Sequence, residues 1–270
     1  MASLHNQAVW RPTRGATTRR RGSDPSAAST TCRSSRREVL GAGAGAALGF
    51  GPTLGAHATT TNEEVLARDY DRYSENYDGL EVGELAKAFE LSDLRSAAVA
   101  QATGRTLEIG IGTGINLDFY DFDRVTHLTG LDISQGMLDK SEERVRSKKL
   151  EERVDLVRGD ATTLPFGADT FDTVVVTYAL CVIPNAPASL GEIARVLKSS
   201  GSGFLVEHIA SDIGPLATYQ GFISPFIAKF GKGCDPSKDI PAQVQQNGLR
   251  LVDVDRRVAG TVALIQVAKA

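Results

Sequence analysis

Apolar positions along this chain fall into two spacings that alternate. Short, nearly continuous apolar runs recur at 106–109, 127–132, 154–161, 171–177 and 203–208. Such runs read as strands, and the fourth, with Val174, Val175 and Val176 in succession, reads as a strand buried on both faces of a parallel sheet. Between the last two runs, Leu190, Ile193, Ala194 and Leu197 repeat at the three-and-four spacing of a buried helix face. Strands alternating with helices predict an α/β fold with a doubly wound, mostly parallel sheet. Two final runs, 249–255 and 261–267, meet at a turn near Gly260. They predict a C-terminal antiparallel hairpin and bring the sheet to seven strands.

Other segments follow helical spacing. Residues 59–104 read as an N-terminal helical cap, in which Tyr70, Tyr73 and Tyr77 share one helix face. Ser199 to Gly203 reads as a turn out of the preceding helix. An insertion at 211–239 interrupts the core domain, 105–270. In it Tyr219, Phe222, Ile223, Phe226, Ile227 and Phe230 recur on one helical face, and Pro225 predicts a kink or a new helix start. That apolar face has three readings: a lid over an apolar substrate, a membrane-surface helix, or a helix packed on the domain.

Charge separates the first 58 residues from the rest. Within 1–40, eight arginines stand against two acids, Asp24 and Glu38, which leaves +6; residues 41–58 carry no charged side chain. The whole chain carries −3, so the remainder carries −9. An Arg- and Ser/Thr-rich, acid-poor start resembles an organelle transit peptide. Arg36-Arg37 followed by a Gly/Ala run that ends at Ala56-His57-Ala58 resembles a twin-arginine export signal with its cleavage site. The combination implies a chloroplast protein sent to the thylakoid lumen, the alternatives being the stroma or a mitochondrion. The Gly/Ala run is too short and too weakly apolar to span a bilayer. The acidic remainder argues against binding nucleic acid through bulk charge. Cys181 and Cys234 are too few for a disulfide framework, their oxidation state is not fixed by the sequence, and no Cys/His cluster has metal-ligand spacing, so no metal is expected. The chain is expected to be a monomer.

The chemistry concentrates at Glu108-Ile-Gly110-Ile-Gly112-Thr-Gly114. Glycines there let the backbone approach a ligand where a Cβ would clash. A dinucleotide fingerprint needs a third glycine at position 115, which is Ile115, and a Walker A loop needs a lysine that is missing. The next strand ends in Asp132, where Rossmann-like sites hold a ribose diol, and the third run reaches Asp160-Ala161. This series resembles the class I S-adenosylmethionine-dependent methyltransferases, which have a Rossmann-like sheet. The resemblance implies S-adenosylmethionine as cofactor, with Glu108, Gly110, Gly112, Gly114 and Asp132 around it. It further implies Asp160 and Ala161 at the adenine, and Tyr77 lying over the site. The stretch 107–120, Leu180-Cys181, Glu207-His208 and Gly233-Cys234-Asp235 resemble the methyltransferase-like 7 proteins and their plastid relatives. Those proteins methylate small thiols and are membrane-associated. The resemblance therefore implies a small apolar acceptor with a thiol or similar nucleophile, and permits peripheral membrane contact. A quinone ring carbon is the alternative acceptor, and a non-catalytic scaffold that binds the cofactor is the alternative of another class. His208 and Tyr178, at the ends of the fifth and fourth strands, are the candidate catalytic bases.

Overall fold

A computed structural model describes residues 62–81, 91–230 and 233–270. The transit and twin-arginine-like segments, 1–58, lie outside the described residues, as does part of the cap. The described part opens with helices α1 (Asn62–Tyr73), α2 (Tyr77–Glu81) and α3 (Leu91–Val99). The core follows as β1 (Gly104–Ile109), β2 (Val125–Asp132), α4 (Gln135–Lys148), β3 (Val154–Arg158), β4 (Phe171–Thr177), α5 (Ala186–Val196) and β5 (Leu197–His208). Helices α6 (Gly214–Phe230) and α7 (Ile240–Gln246) lead to β6 (Leu249–Arg257) and β7 (Val262–Lys269). The seven strands lie in the order β3-β2-β1-β4-β5-β7-β6. Only β7 runs against its neighbours, pairing antiparallel with both β5 and β6. The expected α/β sheet with an antiparallel C-terminal hairpin is the fold observed.

Strand alternation distributes the core between two faces. Val174 and Val176 of β4 join Leu107, Ile109, Leu205, Leu190 and Ile193 in one apolar cluster. Val175, between them, belongs to a second cluster with Val99, Leu117, Leu128 and Val145. The sheet is therefore covered on both sides, as its apolar strands require. The chain winds outward from β1 to β3 and returns to β4 beside β1. In such sheets ligands bind at this reversal, at the carboxyl ends of the strands.

Two local expectations change. Ser199–Gly203 is not a turn: β5 runs through it, and α5 ends one residue short of Leu197. Leu197 pairs with Phe171 but Ser202 pairs with Thr173, so the extra residues bulge out of the ladder. The glycines that suggested a turn instead allow close packing, since a Cβ on Gly203 would lie 2.6 Å from Val267 Cγ2. Helix α6 continues through Pro225, and its orientation is the reverse of that expected for a helix packed by its apolar side. Gln220 and Ser224 are buried, whereas Tyr219, Phe222 and Phe226 are 58%, 86% and 67% exposed. The reason is hydrogen bonding. Gln220 accepts from Ser211 N and donates to Ile209 O and Pro236 O, and Ser224 donates to Asp235.

Gly203→Ala should destabilise the fold by about 1–3 kcal/mol through overpacking against β7. Gly191→Ala in α5, where an added Cβ meets nothing within 4 Å, should instead gain about 0.5–1 kcal/mol. Urea unfolding midpoints read both.

Candidate functional site

The loop after β1 is a left-handed ladder. Gly110, Gly112 and Gly114 have φ of 69°, 59° and 79°, a region costly for any side chain. A Cβ on Gly110 would lie 2.7 Å from Ala179 Cβ, while one on Gly112 would point into space with only Gly110 O at 4.0 Å. The backbone at Gly112 is thus open to a ligand. Asp132 braces this loop from β2. One carboxylate oxygen accepts from Gly112 N at 2.9 Å and the other from Ser134 N at 2.9 Å. Burial raises the Asp132 pKa, and these backbone N–H groups oppose the rise. Each oxygen keeps a second lone pair for a hydroxyl donor.

A cleft opens beside this loop. Gly110, Gly112, Asp132, Asp160 and Ala161 line it from the sheet, and Tyr178 and Val182 from the loop after β4. Leu66, Tyr70 and Tyr77 close it from α1 and α2. Asp160 sits two residues beyond β3 and accepts from Thr162 N and Oγ1. Three other sequence candidates lie off the cleft wall. Gly114 packs against Ser141 and Leu117. His208 stands behind Tyr178, their rings 5.1 Å apart. Glu108 points to the opposite sheet face, fully buried, and accepts from Asn116 Nδ2 at 2.7 Å and Tyr120 OH at 2.9 Å. It ties down the 3₁₀ turn Ile115–Asp118, so its place is beneath the glycine loop and not at a ligand.

The N-terminal helices are fixed by a repeated Tyr-Asp pair. Tyr70 and Tyr77 face the cleft, and the aspartate after each docks on the domain. Asp71 accepts from Ser134 Oγ at 2.6 Å and Gly136 N at 2.9 Å. Asp78 accepts from Thr113 Oγ1 and pairs with Arg144. Tyr70 packs against Tyr73 and Tyr77, with centroids 6.2 and 6.4 Å away. Its hydroxyl pKa is raised, mainly by burial and then by Tyr77 and the nearby thiols of Cys181 and Cys234.

Two residues that sequence reasoning did not single out as site-builders hold the loop after β4. Glu207, fully buried in β5, accepts from the backbone N–H of Ala179, Leu180 and Cys181 at 2.9–3.1 Å. Lys238 donates to the carbonyls of Leu180, Cys181 and Ile183 at 2.8–3.0 Å. Tyr178 is held at φ 57°, its N–H bonded to Val206 O at 2.7 Å and its ring 5.1 Å from the Arg95 guanidinium. Such strain persists only where surrounding structure enforces it. A carboxylate inside an otherwise apolar strand was the available signal for Glu207. The fold also departs from the metal-free expectation in one respect: it brings Cys181, His208 and Cys234 together, with their ligand atoms within 4.8 Å of one another.

Burial raises the Glu108 pKa from 4.5 to about 7, against the hydrogen bonds from Tyr120 and Asn116. The native state therefore holds this proton more tightly than the unfolded chain. Its stabilising contribution is complete below about pH 4.5 and is lost as pH rises through about 7. Glu108→Gln, a neutral isostere, should flatten this part of the stability–pH profile, read by thermal melts from pH 5 to 8.

Comparison with known proteins supplies the family. A methyltransferase domain family matches residues 107–205. A phosphatidylethanolamine N-methyltransferase from Cereibacter sphaeroides is 37% identical over 164 residues, covering 60% of this chain and 77% of that protein. A demethylmenaquinone methyltransferase from Symbiobacterium thermophilum is 32% identical over 152 residues, 54% of this chain and 59% of that protein. The crystal structure of the [4+2]-cyclase SpnF superposes with a TM-score of 0.63 at 19% identity, covering 77% of this chain and 97% of that one, a likeness of fold alone. The glycine ladder, the braced Asp132 and these relatives agree: the chain belongs to the class I S-adenosylmethionine-dependent methyltransferases, enzymes that take S-adenosylmethionine as methyl donor.

Proposed function

We propose that this enzyme methylates a small apolar or amphiphilic molecule with a thiol or comparable nucleophile, and that the acceptor arrives from a membrane surface. The observation that carries this reading is the inverted polarity of α6, whose aromatic side faces outward, together with a cleft walled by Leu66, Val182, Ile183 and Pro184. The chain after α6 reaches that wall, where a Cβ on Gly233 would lie 3.8 Å from Leu66 and 4.0 Å from Val182. The relative that acts on phosphatidylethanolamine supports a membrane-held acceptor. The likeness to the methyltransferase-like 7 proteins supports a thiol. Likeness to a demethylmenaquinone methyltransferase supports a second reading, a quinone ring carbon.

The site residues divide the work as follows. Gly110 and Gly112 leave the backbone open to the donor, Asp132 accepts from its ribose diol, and Asp160 and the Ala161 N–H, which line the same cleft, take its adenine, as the family resemblance implies. The bound donor supplies a methyl group already activated on a sulfonium. Tyr70 and Tyr77 cover the cleft and exclude water; alignment and desolvation are what the protein contributes. Tyr178, on the cleft wall, is the group placed to take the acceptor's proton, and His208 stands behind it. We also propose delivery to the thylakoid lumen. Arg36→Lys with Arg37→Lys should abolish lumenal delivery in chloroplast import assays, and unchanged delivery rejects it.

The acceptor is tested by labelled-methyl transfer from S-adenosylmethionine to an alkyl thiol, a reduced quinone and phosphatidylethanolamine vesicles. Label should reach the thiol, faster when vesicles carry it. Phe222→Asp with Phe226→Asp should lower only the vesicle-dependent rate, several-fold. Label confined to the quinol or the lipid amine rejects the thiol; an unchanged double variant rejects the membrane route.

A further inference from the structure

Three side chains far apart in the sequence meet behind the part of the cleft wall made by Tyr178 and Val182. Cys181 comes from the loop after β4, His208 from the end of β5, and Cys234 from the segment after α6. His208 Nδ1 lies 3.6 Å from Cys234 Sγ and 3.9 Å from Cys181 Sγ. We propose that Cys181, His208 and Cys234 are the three protein ligands of a soft divalent cation such as zinc, with a fourth position left for water or a soft exogenous ligand.

The spacing suits tetrahedral coordination. Zn–N near 2.1 Å and Zn–S near 2.3 Å put neighbouring ligand atoms about 3.6–3.8 Å apart. The donor set, two sulfurs and an imidazole, is one that zinc accepts in sites with an open position. The arrangement is also open on one side, since Cys181 is buried while His208 and Cys234 are only half-buried. Backbone contacts hold the ligands before any metal arrives. Glu207 fixes the Cys181 N–H, Lys238 binds the Cys181 carbonyl, and Asp235 N donates to that same carbonyl at 3.0 Å. Such outer contacts orient metal ligands.

Charge points the same way. Once metal-bound, Cys181 and Cys234 are both thiolates. The Lys238 ammonium already has three carbonyl partners, and the Glu207 carboxylate already has three N–H partners. These two neighbours balance each other. A divalent cation balances the two thiolates, and the buried group becomes neutral, which low-dielectric surroundings favour.

Cobalt(II) added to the reduced, metal-free full-length protein is the probe. The expected result is a near-ultraviolet sulfur-to-cobalt band with visible bands of tetrahedral intensity, saturating at one cobalt per chain and bleached by zinc. Cys234→Ser, at the more accessible ligand, should lose the sulfur-to-cobalt intensity of one thiolate and weaken cobalt affinity by at least tenfold. His208→Asn should weaken affinity while keeping both thiolate contributions. Circular dichroism shows that each variant is folded, and a misfolded Cys234→Ser is replaced by Cys234→Ala. Absence of the band at saturating cobalt, or an unchanged band in the Cys234 variant, overturns the proposal. So does a Cys181–Cys234 disulfide that resists the reductant, seen as protection of both sulfurs from alkylation in its presence.

Discussion

A buried carboxylate bonded to three consecutive backbone N–H groups organises the loop after β4. Glu207 sits inside β5 and spends its charge on three consecutive backbone N–H groups of the loop after β4. Burial still lifts its pKa to about 7, so the loop is held at a real electrostatic cost. Lys238 grips the same loop from the carbonyl side. Between them they bond the backbone of 179–183 from its N–H and its carbonyl sides. Tyr178 can then occupy a left-handed conformation, and Cys181 can face His208. Remove the carboxylate, and the wall of the cleft and the thiol cluster lose their common support.

The donor side relies on a milder device. Two Tyr-Asp pairs on α1 and α2 turn a polar docking contact into an apolar roof. The aspartates bind the turns that begin α4 and follow β1, which are the turns that carry Ser134 and Thr113. The roof is therefore registered on the same loops that shape the cradle. Hydrogen bonding from Ser134 and Gly136 keeps the Asp71 carboxyl below its ordinary range, although partial burial alone would raise it.

What the sequence revealed follows the range of the forces involved. Gly110, Gly112, Asp132 and Asp160 are local: each is read from a strand end and its turn, and each lines the cleft. The strand runs were legible because burial on both faces leaves an apolar signature. Ser199–Gly203 was misread because glycine marks a turn and a tight packing site alike, and only Val267, distant in sequence, distinguishes them. The aromatic stripe of α6 was seen, but its direction depends on Gln220 finding partners at Ser211, Ile209 and Pro236. Glu108 belonged to the recognised motif, yet strand alternation turns it to the other face. The thiol–imidazole cluster has no sequence spacing because three separate elements deliver it.

Parallel pairing at the centre of the sheet has a kinetic consequence. Thr106 of β1 pairs with Thr173 of β4, 67 positions later, the widest sequence separation among the strand pairings. Closing that loop, like the β5–β7 pairing whose Gly203 and Val267 lie 64 positions apart, costs more chain entropy than the local β6–β7 hairpin. The ends of this long-range seam line the cleft. A ligand that touches Gly110 on one strand end and Tyr178 on the other acts as a clasp across a long-range joint of the fold, so donor binding stabilises the fold as well as serving catalysis.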